Sequence, residues 1–136
     1  FYSGASSFMA DYAVRKRESN NNLSPIKDKL KQQFLFGDSL IEQSGCSEIT
    51  LKDISPENCF NLKFYWGEPA VAYLLSTISN PNALNEVFYP NLYQLGFKDA
   101  FELTFNKTLE EFYVEWDSIM LKTIDERINL INSFGL

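Results

Sequence analysis

Apolar side chains recur three or four positions apart along most of this 136-residue chain, which is the spacing of a helix that buries one face. Such a stripe predicts a first helix over residues 3–17. A second helix is predicted over about 25–36, because Ser24 is a suitable N-cap and Pro25 suits the first helical position. Its lysines are expected on a solvated face: Lys27, Lys29 and Lys31.

The segment from about 37 to 59 lacks this periodicity and is punctuated by Gly37, Gly45 and Pro56. Glycine and proline at such positions favour turns, so we expect a long loop-rich segment here. Downstream, Glu68 followed by proline favours a new helix start, with Glu68 in the first turn. The apolar run after it predicts a helix that is buried on most sides.

The last third of the chain predicts further helices, with a bend or end near Pro90 and a stop by Gly96. Asn106 follows an apolar helical pattern, at a position where helices commonly end with a residue in the left-handed conformation. Thr108 and Glu111 have the spacing of a capping box, which opens a last helix that is predicted to run to about residue 132.

No stretch alternates polar and apolar residues with a period of two, as a half-buried strand would. The expected fold is therefore all-α. We expect residues 1–136 to form a single helical domain, an irregular bundle of five or six helices with one long loop-rich segment at about 37–59.

Composition excludes several kinds of site within these residues. The chain has no histidine, so it can build no histidine-based triad, no histidine general base and no histidine-rich zinc site. Its net charge of -6 argues against nucleic acid as a partner, because binding a phosphate backbone needs a basic face. No apolar run approaches the roughly 18–20 residues of a transmembrane segment.

Cys46 and Cys59 are the two cysteines of the chain. A disulfide between them would close a loop and, in the chain-entropy picture, stabilise the fold by about 3 kcal/mol. Two unrelated reduced thiols fit the spacing equally well. A metal site is disfavoured, because neither a CxxC pair nor a histidine accompanies the two thiols.

Three stretches, in this order, resemble parts of the gluzincin metallopeptidases, the zinc peptidases that carry a HExxH helix. The first is the opening FYSGASSFMADY. In it Gly4, Ser6 and Phe8 match the Gly, Ala and Tyr of the family's W-x-x-E-G-x-A-x-Y motif. In that register Ser3 occupies the position of the glutamate that is the third zinc ligand. The HExxH segment itself would lie upstream of Phe1.

The second stretch, FYWGEPAVAYLL at 64–75, is similar to the family's Y-x-x-[GS]-x-x-x-x-x-[YF]-L helix. Gly67, Tyr73 and Leu74 match it. Phe64 stands where the family's tyrosine helps to stabilise the oxyanion. Tyr65 comes one residue later, and one residue rotates a side chain by about 100° around a helix.

The third stretch, AFELTFNKTLEEFYVEW at 100–116, resembles the closing helices of many bacterial members, with Asn106 in place of a glycine. Residues 18–60 match none of these motifs. The chain begins with Phe1 rather than methionine, so we expect a fragment or C-terminal lobe of a longer protein. The cysteine pair and the peptidase resemblance favour an exported protein, periplasmic or extracellular.

The resemblance implies a lobe that no longer catalyses. Zinc peptidases of this kind need a metal held by two histidines and a carboxylate, with a bound water and a carboxylate base. A serine at position 3 is neutral and a poor zinc ligand. We therefore expect no activity and no cofactor in this chain alone, and zinc only if ligands lie upstream.

The resulting prediction is a non-catalytic, peptidase-like helical domain that serves as a scaffold or binds a peptide or protein. Phe64, Tyr65 and Trp66 are candidate residues of a groove, although aromatic side chains buried in a helical core give the same pattern. Two alternatives stay open. One is an unrelated all-α protein-interaction module, and the other is a fragment of an active zinc metallopeptidase whose metal ligands lie upstream.

Overall fold

The computed structural model describes residues 1–18, 24–44 and 62–131, and within these ranges it contains helices and turns but no strand. The all-α prediction is therefore confirmed. In chain order the helices are α1 (Tyr2–Glu18), α2 (Ser24–Ser44), α3 (Leu62–Thr77), α4 (Tyr89–Phe105), α5 (Leu109–Met120) and α6 (Ile124–Leu130). A π-helical segment, Leu84–Phe88, leads directly into α4.

Helix α3 is the central element of the bundle, and α1, α2 and α4 pack against it. Helix α5 packs against α4, and α6 packs against α2. The central position of α3 follows from its composition. The second half of the helix is apolar around its whole circumference, so neighbours on several sides are needed to bury it. This confirms the prediction of a helix that is buried on most sides.

The core is built largely from aromatic rings that the surrounding helices direct towards the centre of the bundle. The largest fully buried aromatic side chains are Phe8, Phe34, Phe88, Phe101, Phe105 and Trp116. Phe1, ahead of α1, joins this cluster, with its ring centroid 5.0 Å from that of Phe88 and 5.3 Å from that of Phe97. Pairs at such separations and tilts stabilise a core beyond the area that they bury.

Helix α2 is longer than predicted, because it continues through Gly37 to Ser44. The expected loop-rich segment therefore does not begin at residue 37. Gly37 faces the indole of Trp66, and a Cβ there would lie 2.6 Å from the indole Nε1. A contact that is distant in sequence thus explains the glycine. Residues 45–59 of that segment, with Cys46 and Cys59, lie outside the described residues.

The predicted helix start at Glu68 is wrong. Helix α3 begins at Leu62, and Pro69 stands inside it. A proline in a helix interior removes one backbone hydrogen bond and costs about 3 kcal/mol. The helix continues because burial of the apolar residues on both sides of Pro69 outweighs that cost.

The predicted break at Gly96 and the left-handed Asn106 are confirmed, whereas the predicted bend or end near Pro90 is not seen, because α4 continues directly from the π-helical segment. Pro90 lies in the first turn of α4, Gly96 breaks the helical geometry of α4 with φ 77° and ψ 173°, and Asn106 ends it with φ 54° and ψ 34°. Thr108 and Glu111 form the predicted capping box at the start of α5.

The helix predicted to run to about 132 is in fact two helices. Helix α5 ends at Met120, and α6 starts after Thr123, which forms a second capping box with Glu126. The same Thr-x-x-Glu signal that correctly placed the start of α5 is present here in the sequence. Across the three described ranges, no helix is long and apolar enough to cross a membrane.

Candidate functional site

The two helices that carry the first and second matched stretches touch at a pair of glycines. Helices α1 and α3 pack closely where Gly4 meets Gly67. A Cβ on Gly4 would lie 2.1 Å from the carbonyl oxygen of Gly67 and 2.8 Å from the backbone nitrogen of Glu68. No side chain fits at that distance, so a glycine at position 4 allows the two backbones to approach this closely.

An apolar pocket of about 60 Å³ lies next to this crossing. Each of the three matched stretches contributes to its wall. Its described lining residues are Phe1 from the first stretch, Gly67, Ala70, Val71 and Leu74 from the second, and Leu109, Phe112 and Tyr113 from the third. A cavity of about 150 Å³ holds a benzene molecule. This pocket is smaller and suits the end of one aliphatic side chain.

On one side of the pocket the wall is formed by Phe1, whose ring packs against three other aromatic rings. The ring of Phe1 packs edge-on against Phe97, Phe101 and Phe105, at centroid distances of 5.3, 5.9 and 6.2 Å. On the opposite chain segment, Phe112 is 3% exposed and Tyr113 is half-buried. The pocket is therefore a largely preformed feature of the aromatic core.

The residues singled out from sequence occupy different positions relative to this pocket. Ser3 lies exposed in the first turn of α1, one residue before Gly4. Tyr65 is half-buried, with its ring centroid 5.9 Å from that of Phe36. Trp66 is 3% exposed and packs on Gly37, so it offers almost no surface to a ligand. Phe64 lies in the first turn of α3.

A cluster of charged and polar side chains joins α1, α2 and α3, and sequence reasoning missed it. The side chain of Glu68 is 1% exposed and lies inside α3, although Glu68 was expected in the first turn of a helix. Its Oε2 accepts a hydrogen bond from Gln33 Nε2 at 2.8 Å and lies 2.9 Å from Lys29 Nζ. Lys29 also pairs with Asp11 of α1. Lys29 is exposed, as predicted, and it also bridges two carboxyl groups, which the sequence did not predict.

The protonation preferences within this cluster are opposite for its two acids. Burial, followed by a hydrogen bond with Asp11, raises the pKa of Glu68 above its ordinary value, although Lys29 and Gln33 act in the other direction. Burial also acts to raise the pKa of Asp11, but its hydrogen bonds with Glu68 and Lys29 lower it overall. The Lys29 pKa is raised, because its bonds to Asp11 and Glu68 outweigh the effect of burial.

A second, partly buried polar group joins α3, α5 and the turn that precedes α5. The hydroxyl of Tyr73 donates to Glu115 Oε2 at 3.2 Å, and Lys107 Nζ lies 2.6 Å from the same oxygen. Burial, together with the charge of Glu115 and the hydrogen bond to it, raises the pKa of Tyr73 to about 12. The phenol therefore stays protonated at neutral pH.

Arg127 connects α6 to α2 and to the turn between α5 and α6. Its guanidinium donates from Nη1 to both carboxylate oxygens of Asp38, at 2.9 and 3.0 Å. It also donates to the carbonyl oxygens of Met120 and Lys122, at 2.8 and 3.0 Å. Helix α6 is further linked to α2 by Lys31, which pairs with Asp125 at 2.8 Å rather than pointing only to solvent.

Among the side chains that the structure describes, no three carboxylates or thiols come together in a way that could hold a metal ion. The geometry therefore offers an apolar pocket and a buried charged cluster as candidate sites. No protein-family model, curated protein or solved structure matches the chain.

Proposed function

We propose that this chain is a non-catalytic, peptidase-like helical lobe that binds a peptide or protein segment through one apolar side chain. The observation that carries the proposal is the meeting of the three gluzincin-like stretches at one pocket. These stretches are far apart in sequence, and each contributes at least one residue to the wall of the pocket.

The position of Ser3 supports a lobe without catalysis. If the register of the first motif holds, the zinc-ligand glutamate is replaced by an exposed hydroxyl beside the Gly4–Gly67 crossing. A hydroxyl is neutral at neutral pH and cannot replace the charge that a carboxylate supplies to the metal. The surface that would contact a polypeptide substrate can persist after such a loss, because it depends on packing and not on the metal.

The pocket suggests what such a surface would recognise. Its wall consists of aliphatic and aromatic side chains and one glycine, which favours an aliphatic end such as that of valine or leucine. Burying one such side chain stabilises a complex by about 1.5–3 kcal/mol. A single anchor of this kind gives weak affinity, so the rest of the segment has to contribute along the neighbouring surface of α1 and α3.

Metal analysis of the intact protein tests the loss of catalysis. We expect less than stoichiometric zinc after purification in zinc-containing buffer, and no peptide hydrolysis that a chelator abolishes. Stoichiometric zinc together with chelator-sensitive hydrolysis would instead support the alternative of an active zinc metallopeptidase.

Binding to the pocket is tested by titrating the protein with peptides that differ only in one aliphatic residue. The NMR shifts of the methyl groups that line the pocket measure the binding. Ala70→Val fills the pocket from α3, and we expect it to weaken binding at least tenfold while the thermal unfolding midpoint stays close to wild type. Ala13→Val makes the same change on the exposed surface of α1 and serves as the matched control. Equal binding by both variants would favour an unrelated interaction surface.

A further inference from the structure

We propose that Asp11 and Glu68 share a single proton beneath Lys29, and that losing this proton as the pH rises loosens α1 from α2 and α3. We call these three side chains the acid junction. The inference does not depend on what the apolar pocket binds, because it concerns the packing of the three helices.

The first support is the environment of the two Glu68 oxygens. Oε2 is well satisfied by Gln33 and Lys29. Oε1 is buried and receives no hydrogen bond. A carboxylate oxygen that is buried without a donor carries a large desolvation cost. A proton on Glu68 removes that cost, because the neutral acid becomes a donor. Asp11 is the neighbouring carboxylate that can accept from it, since Lys29 Nζ contacts Asp11 Oδ2 and lies 2.9 Å from Glu68 Oε2.

The second support is the balance of charge around Glu68 from each helix that packs on it. Helix α1 supplies Asp11, with Arg15 acting on it from one turn further along. Helix α2 supplies Lys29 and the neutral Gln33. With one shared proton, Asp11 and Lys29 balance each other. With none, two carboxylates compete for one ammonium group, and one of them is fully buried.

The pKa directions agree with this geometry, since burial and Asp11 raise the pKa of Glu68 while the pKa of Asp11 is lowered. The sign for stability follows from linkage. A carboxyl with a raised folded pKa contributes stability fully below its unfolded pKa and loses it as the pH rises through the folded value. Each unit of that rise corresponds to a tenfold change in the folding equilibrium constant.

The loosening is expected at α1, because Lys29 of α2 links Asp11 of α1 to Glu68 of α3. When Glu68 is ionised, Lys29 divides its charge between two partners, and the hydrogen bond from Glu68 to Asp11 is gone. Helix α1 then opens locally more often than the rest of the bundle, as weakly held elements do.

A carbon-13 NMR titration of the wild-type chain tests the shared proton directly and needs no variant. We expect the side-chain carboxyl of Glu68 to titrate above its ordinary value of 4.5 and that of Asp11 below 3.8. Titration of Glu68 at or below the ordinary value would overturn the proposal.

Hydrogen exchange tests the effect on α1. We expect the protection factors of the α1 amides to fall at least tenfold as the pH passes the Glu68 transition, with a smaller fall in α5. Glu68→Gln keeps a neutral hydrogen-bonding side chain and should make α1 protection independent of pH over that range. Glu102→Gln, on the exposed face of α4, should keep the wild-type response. An unchanged pH response in a folded Glu68→Gln chain would overturn the loosening of α1, and if that variant does not fold, the wild-type titration decides.

Discussion

The carbonyl oxygen of Gly67 occupies the place where a side chain on Gly4 would begin, since a Cβ built on Gly4 lies 2.1 Å from it. The reverse is not true. A Cβ built on Gly67 has the Cα of Gly4 as its nearest neighbour, at 3.4 Å, which is an ordinary contact. The helix crossing therefore requires glycine on α1 but not on α3.

This asymmetry predicts opposite outcomes for two chemically identical changes. Gly4→Ala forces the backbones of α1 and α3 apart and should destabilise the fold by about 2 kcal/mol or more, because overpacking outweighs the gain in helix propensity. Gly67→Ala should lie within about 1 kcal/mol of wild type. Urea unfolding followed by circular dichroism measures both changes.

Ser6→Ala, on the exposed face of α1, controls for altered helix propensity alone and should shift the unfolding free energy by no more than about 0.5 kcal/mol. Equal damage by Gly4→Ala and Gly67→Ala would contradict the one-sided packing of this crossing.

Local signals in the sequence were sufficient wherever the structure depends on neighbours along the chain. The left-handed Asn106 and the Thr108 capping box were predicted because their partners lie within a few residues. The break before α6 could have been predicted by the same rule, since Thr123 and Glu126 repeat the signal. A long apolar pattern obscured it, because α5 and α6 continue the same apolar pattern past the turn.

Predictions failed where a partner lies far away in sequence. Gly37 looked like the end of α2 but faces Trp66 of α3, and Pro69 looked like a helix start but is buried within one. The buried role of Glu68 depends on Asp11 and Lys29, which come from two other helices. The pocket depends in the same way on partners that are distant in sequence, since Ala70 and Leu74 of α3 line it together with Phe112 of α5.

An alkaline titration should detect Tyr73 through a late ionisation step. Its pKa is raised to about 12 by burial and by Glu115, so its share of stability is present at neutral pH and is lost as the pH rises through that value. In a rapid pH jump followed at 295 nm, the wild-type chain should show a late ionisation step near 12. Tyr73→Phe should remove that step, and Tyr93→Phe, which changes a side chain that is 99% exposed, should leave it in place. A late step that survives Tyr73→Phe would assign it to another phenol.

The ion pair between Arg127 and Asp38 should contribute to the stability of the fold, mainly because Arg127 is buried. Asp38→Ala leaves a buried guanidinium with two carbonyl acceptors and the Phe34 ring but without its carboxylate. We expect the free energy of unfolding to fall by about 2–3 kcal/mol, a moderate loss because the Asp38 side chain is a third exposed. Arg127→Met combined with Asp38→Ala should cost less than the sum of the two single changes. Asp117→Ala, on the exposed side of α5, should stay within about 0.5 kcal/mol of wild type. Additive losses in the double variant would show that the two side chains act independently.

The cap at Thr123 should determine whether α6 forms, because α6 has only 7 residues and carries both Arg127 and Ile128 into the core. The Thr123 side chain accepts a hydrogen bond from the backbone of Glu126 at 3.3 Å, and the Glu126 carboxylate accepts one from the backbone of Thr123 at 2.8 Å. Thr123→Ala should destabilise the fold by about 1 kcal/mol and increase hydrogen exchange across α6 first. Thr123→Ser keeps the oxygen and should retain most of the stability. If serine were as damaging as alanine, packing of the threonine methyl group rather than the cap would hold α6 in place.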